Sequence, residues 1–166
     1  MRKTLLLIAL LIFGIWNINA QNKKEVYYQA FKELIESKDF DFEGVTAFPQ
    51  SGGSININGE INYVRIRQDS VKIYMPYFGE SQTLNSFNSS NNAITFEGLM
   101  ENYEVDINEK NGRIRIKFFV KGRKEGIDMS IIFYKNLSAR LVANSSARDG
   151  ISYDGNILTA IENRTE

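Results

Sequence analysis

The residues best able to do chemistry are carboxylates, because the 166-residue chain has no cysteine and no histidine. That composition removes histidine-activated nucleophiles, cysteine nucleophiles and the usual zinc and haem ligand sets. It also lacks a Ser-x-x-Lys pair, a phosphate loop and a Gly-x-Gly-x-x-Gly string, so nothing supports serine–lysine hydrolysis, nucleoside triphosphate binding or a dinucleotide fold. The sharpest metal candidate is "DFDFEGVTAFPQ". Asp39, Asp41 and Glu43 fall at the first, third and fifth positions of a calcium-binding loop, and Gly44 at the sixth. The twelfth position, where a bidentate Glu belongs, is Gln50. Phe40 and Phe42 alternate with the acids, which is the pattern of a half-buried strand, so the expectation is a strand and no metal.

Acid pairs for glycoside hydrolysis can be drawn from Glu97, Glu101, Glu104 and Asp106, but any domain with 20 acids offers such pairs. Arg113, Arg115, Lys117 and Lys121 put a basic face on one strand. Asp106 is expected opposite Lys117, so this reads as a cross-strand charge ladder rather than an anion site. The Asn-x-Ser/Thr sequons at Asn88, Asn136, Asn144 and Asn163 matter only in a eukaryotic secretory pathway. No catalytic residue and no cofactor are assigned.

These residues must be carried by an exported β domain. Residues 1–20 read as a secretory signal peptide: Arg2 and Lys3 give the positive end, Leu5 to Trp16 an apolar run, and Ala20 a small residue at the cut before Gln21. The run is short for a membrane span, and no cysteine follows it to take a lipid, so the expectation is cleavage after Ala20 and release to the periplasm or medium with no integral span. Removing 20 residues leaves 146, one domain's length, numbered 21–166. Such a domain buries roughly 68–70% of its extended surface. Losing Arg2 and Lys3 from 20 basic residues leaves 18 against 20 acids, about −2, which is no footprint for a nucleic-acid binder.

In "NKKEVYYQAFKELIESK", Val26, Tyr27, Ala30, Phe31, Leu34 and Ile35 recur at helical spacing, predicting one amphipathic helix over 22–38. From Phe40 the period falls to two, with a turn signal every ten residues or so, as in an antiparallel all-β domain. A turn at Asn111-Gly112 would pair Ile107 with Ile116, Val105 with Phe118 and Tyr103 with Val120. A turn at Asp69-Ser70 would set Val64 and Ile66 opposite Met75 and Ile73, and Arg65 and Arg67 opposite Tyr74 and Lys72. The third hairpin is apolar on both faces, Ile132, Tyr134, Ala139 and Leu141 on one and Ile131, Phe133 and Val142 on the other. Such strands need a second layer, which places the helix against their outside or across a barrel end.

Pro76 and Gly79 close the strand in "YMPYFGESQTLNSFNSSNNAITF", since Pro lacks the ladder N–H and Gly adds backbone freedom. The stretch "FDFEGVTAFPQSGGSININGEINYVRIRQDSVKIYMPYFGES" resembles a family of exported bacterial proteins, typical of the Bacteroidetes, known as domain of unknown function 4251. Phe40, Phe42, Pro49, Gly52, Gly53, Asp69-Ser70-Val71 and Pro76-Tyr77-Phe78-Gly79 carry the resemblance, joined by Arg148, Ile151, Tyr153 and Gly155 in "NSSARDGISYDGNI". It covers about 40–157 and implies a mainly β fold: a helix, then an antiparallel lipocalin-like barrel or strongly curled sheet. It implies no activity, because none is established for the family.

On that fold Pro76 to Gly79 turn the chain at the barrel rim, and 80–92 form a polar flap with only Leu84 and Phe87 to bury. Tyr77 and Phe78 serve rim packing or, with Tyr74, contact with a ligand. The function expected is a non-catalytic exported barrel that binds a small apolar or amphiphilic molecule or a cell-envelope component. The alternatives are a structural or protein-interaction module with a filled barrel and, last, a carboxylate-based hydrolase.

Overall fold

The computed structural model describes residues 28–79, 93–123, 125–134 and 138–159. The expected signal peptide, the start of the helix, the flap at 80–92 and the sequons at Asn88, Asn136 and Asn163 lie outside the described residues. Helix α1 (28–37) is followed by strands β1 (Asp39–Pro49), β2 (Ile55–Asn56), β3 (Tyr63–Arg67), β4 (Ser70–Pro76), β5 (Ala93–Leu99), β6 (Glu101–Asn108), β7 (Arg113–Lys121), β8 (Gly126–Tyr134), β9 (Ala139–Ser145) and β10 (Ile151–Thr159). Nine strands form one antiparallel sheet in the order β5-β4-β3-β1-β10-β9-β8-β7-β6, with β2 paired to β1. It curls into a nearly closed barrel, so the mainly β architecture expected of the chain is the one it adopts.

Alternation decides the inside. Phe40, Phe42, Val64, Ile66, Ile73, Met75, Ile114, Ile116, Ile131 and Leu141 are fully or almost fully buried and belong to one continuous apolar cluster. Long β1 joins the two halves of the sheet, pairing β3 on one side and β10 on the other. A bulge between Gly44 and Thr46 breaks its register with β10, and Val45 there accepts a hydrogen bond from the Ile57 N–H. The buried Asn62 side chain laces this point: its amide oxygen accepts from the Gly44 N–H, and its NH2 donates to the Gly44 carbonyl at 3.0 Å.

Two hairpins differ from the expected pairing by two residues. Val105 pairs with Ile116 and Ile107 with Ile114, because Glu109 to Gly112 form a four-residue loop. Asn108 caps that loop, its side-chain oxygen accepting from the Asn111 N–H at 3.2 Å, and Gly112 takes the left-handed φ of 57°. The charge ladder shifts with it, Glu104 opposite Lys117 and Asp106 opposite Arg115. The other turn lies at Gln68-Asp69, with Gln68 at φ 55°, so Val64 meets Ile73 and Arg65 meets Lys72. A slip of two keeps every side chain on its face, which is why burial alone could not reveal it. The third hairpin corrects a face. Phe133 pairs with Ala139 and Ile131 with Leu141, so these four point inward while Ile132, Tyr134 and Val142 point outward.

Helix α1 crosses a barrel end. Ile35 enters the core, Phe31 packs its ring 6.2 Å from Phe133, and Phe133 in turn meets Phe40 at 6.0 Å. Lys38, at φ 51°, terminates the helix, and its carbonyl accepts from the Gln68 N–H at 2.7 Å, tying the helix to the β3–β4 turn. Among the described residues no helix is long and apolar enough to cross a membrane.

Candidate functional site

Pro76 ends β4 as its chemistry requires, and the chain turns at the barrel end opposite α1. The three aromatics proposed for a ligand part company there. Tyr77 points inward and is 3% exposed. Phe78 is partly buried against the core. Tyr74 is half-buried between the inward residues Ile73 and Met75, and its ring lies 6.2 Å from that of Tyr63 on β3. The fold therefore joins Tyr77 and Phe78 at the rim and leaves Tyr74 on the outer face.

Tyr77 belongs to a polar closure built with residues from the far end of the chain. Its hydroxyl donates to the Asp149 carbonyl at 3.1 Å, and the Arg148 guanidinium lies 5.2 Å from its ring centre. Tyr153, 0% exposed, donates its hydroxyl to the Pro76 carbonyl at 2.7 Å, satisfying the group that β4 leaves open where it stops. Arg148 donates Nε and Nη2 to Glu125 Oε1, each at 2.7 Å, and Ser145 Oγ donates to Glu125 Oε2 at 2.8 Å. Burial raises the pKa of both Tyr77 and Tyr153, so both phenols stay protonated and available as donors. Ser145 donates to Glu125 and accepts from the Ala147 N–H, and the Glu125 carboxylate is itself engaged by Arg148.

The acids at 39–43 lie along β1. Asp41, nearly buried, is clasped by two arginines from β3: Arg67 Nη1 lies 2.6 Å from Oδ1 and Arg65 Nε 3.2 Å from Oδ2. Asp39 pairs with Arg67 at 3.2 Å. Among the described residues no group of three or more acids is placed to hold a metal ion. Of the acids weighed for hydrolysis, Glu97 pairs with Lys72 at 2.9 Å, and that hydrogen bond raises the Lys72 pKa.

Clefts occupy the outer face. One of about 550 Å³ lies over β1, β9 and β10, bordered by Thr46, Tyr134, Arg140, Asp154 and Asn156. Arg140 forks onto Asp154, Nε to Oδ1 at 2.6 Å and Nη2 to Oδ2 at 2.8 Å, and that hydrogen bonding raises the Arg140 pKa. A second cleft of about 210 Å³ lies above Asp41 and Arg65.

The family model described as Domain of unknown function (DUF4251) matches residues 22–157. The chain belongs to that family. A solved structure of a DUF4251 family protein from Bacteroides eggerthii DSM 20697 is similar over 82% of this chain and 90% of that one, with a TM-score of 0.64 and 13% identity. At that identity the likeness concerns the DUF4251 fold alone. No curated protein matches the chain.

Sequence reasoning about this DUF4251 chain missed Glu125, Ser145 and the Tyr153–Pro76 bond, since nothing local joins residues separated by 77 positions. It also missed Arg140 and Asp154, which the β9–β10 register sets opposite each other. Opposite charges flanking a short connection were a usable signal for that pair.

Proposed function

We propose that this DUF4251 protein is exported and, rather than catalysing a reaction, acts as a binding module through the outer face of a side-chain-filled barrel. One observation carries the reading: Tyr77 and Tyr153 are buried at the rim with both hydroxyls bonded to backbone carbonyls, so the residues that would line an open mouth are part of its closure. The continuous cluster of inward side chains supports a filled interior. The positive, apolar and small-residue succession of the first twenty residues supports export. Arginine pairing of Asp39 and Asp41 and the absence of histidine and cysteine from the chain favour binding over catalysis.

Titration with an apolar fluorescent probe and with extracted lipid tests the filled barrel. The expected outcome is no saturable binding and no slowing of amide exchange at the rim. Saturable binding that Tyr77→Ala weakens while the protein stays folded would replace this reading with an interior ligand. Mass spectrometry of cell fractions tests export: a chain starting at Gln21 in the periplasm or medium is expected, and an intact Met1 in the inner membrane refutes it.

A further inference from the structure

The cleft over β1, β9 and β10 has a composition that selects among ligands. At its centre the Arg140–Asp154 fork is neutral as a unit, so it offers no net charge to an anion. The two side chains remain about 40% and 45% exposed, so the fork keeps donors and acceptors side by side within reach of solvent. Asn156 and Thr46 add groups that both donate and accept. Tyr134 stands at the border with 37% of its surface exposed, one of the few large apolar side chains so placed among the described residues. The β1 bulge lies beside the cleft and turns Val45 into its wall; bulges re-aim side chains in this way beside functional sites. The volume, about 550 Å³, falls within the range of small-molecule sites.

We infer that this cleft binds a short neutral saccharide, with the Arg140–Asp154 fork and Asn156 bonding ring hydroxyls and Tyr134 covering the apolar face of a ring. Vicinal hydroxyls each donate and accept, which matches a planar fork presenting both functions side by side. The C–H face of a pyranose supplies the apolar surface that an exposed aromatic ring lacks. An anionic ligand would need a cation free of Asp154, and an apolar one would strand the fork's desolvated groups. The inference rests on the reading that the outer face is the binding face, and it names the ligand class for that face.

Shift mapping of the 15N-labelled full chain with maltotriose, cellotriose and N,N′-diacetylchitobiose tests it, with trigalacturonate as the anionic comparison. At least one neutral probe should shift the amides of Tyr134, Arg140, Asp154 and Asn156 saturably at millimolar concentration. Tyr134→Ala and Asp154→Asn should each weaken that binding about tenfold, the loss of one good contact of about 1.4 kcal/mol. Tyr134→Ala removes an exposed ring, so its fold should persist and its result decides if Asp154→Asn proves unstable. No shift with any neutral probe, shifts elsewhere, insensitivity to Tyr134→Ala, or tighter binding of trigalacturonate overturns the inference. Failure here leaves the filled barrel standing; that reading falls only to the apolar-probe titration.

Discussion

Gly155 sits where β10 passes closest to β1, paired with Gly44 on one side and Ala139 on the other. A Cβ added there would lie inside the contact shell of the Glu43 carbonyl oxygen and 2.9 Å from both Glu43 C and Gly44 Cα. All three neighbours are backbone, so no side chain can rotate away. Restoring ordinary contact at 3.4 Å requires the strands to part by at least 0.5 Å, the difference between 3.4 and 2.9, and by more at the oxygen. That displacement falls on the junction between the two halves of the barrel, beside a bulge where register is already broken. Overpacking of this kind costs about 1–3 kcal/mol, and rigid neighbours put Gly155→Ala at the upper end, about 3 kcal/mol. For a domain of this size that corresponds to a fall in melting temperature of about 10 °C. Thermal denaturation followed by circular dichroism measures it, with the exposed Asn156→Ala as control, expected to change little. Amide exchange should quicken first along β1 and β10. A Gly155→Ala melting temperature within about 2 °C of wild type would refute the claim that backbone approach fixes this position.

Tyr103 gives a pH dependence of definite sign. Burial pushes its phenol up to about 12 from an ordinary value near 10, while its hydroxyl donates to the Ile35 carbonyl at 3.3 Å. The folded state therefore holds this proton more tightly than the unfolded chain, so its contribution is complete below about pH 10 and is lost as pH rises toward 12. Urea midpoints between these limits should fall less steeply for Tyr103→Phe than for wild type; equal slopes would contradict the assignment. Tyr153→Phe should cost about 1–2 kcal/mol, because it leaves the Pro76 carbonyl without its buried donor, and an unchanged denaturant midpoint would show that water replaces the phenol. Millimolar calcium should leave the melting temperature unmoved, since Asp41 is committed to Arg65 and Arg67; a rise of several degrees that Asp41→Asn abolishes would show a site after all.

The period-two alternation made the strands and the inward faces of β3, β4 and β7 legible, and helical spacing did the same for α1; on the edge strand β6 it misled, since Val105 is 39% exposed. Register was less so. Asn111-Gly112 is the strongest short hairpin signal in the chain, yet Asn108 supplies its own side-chain cap and enlarges the loop by two residues. A connection whose effective length depends on such a cap cannot be counted from turn residues alone. The β8–β9 hairpin failed for a related reason: with apolar residues on both faces, no burial contrast distinguishes one parity from the other. Of the rim aromatics, Pro76 announced where the strand ends, but whether Tyr77 faces a ligand or the core depended on Asp149 and Arg148, 72 and 71 residues away.

The residues that carry the family resemblance have a common physical use. Phe40, Phe42, Val71 and Ile151 fill the core. Gly52 and Gly53 take φ of 96° and 83° in the turn after β1, a region side chains rarely enter. Pro76 offers its carbonyl to Tyr153, Gly79 leaves room for the Tyr77 ring, Arg148 closes onto Glu125, and Gly155 lets two backbones meet. Each shapes or seals the barrel, and none converges with another on an accessible reactive group. In this chain those residues close the barrel, and on the proposed reading the chemistry of binding falls to outward positions such as Tyr134, Arg140, Asp154 and Asn156. Outward positions on a strand can change without disturbing the core, because alternate side chains point to opposite faces. Substitutions there should leave the barrel folded, so experiments on function should vary the outer face of β1, β9 and β10 before the residues that close the barrel.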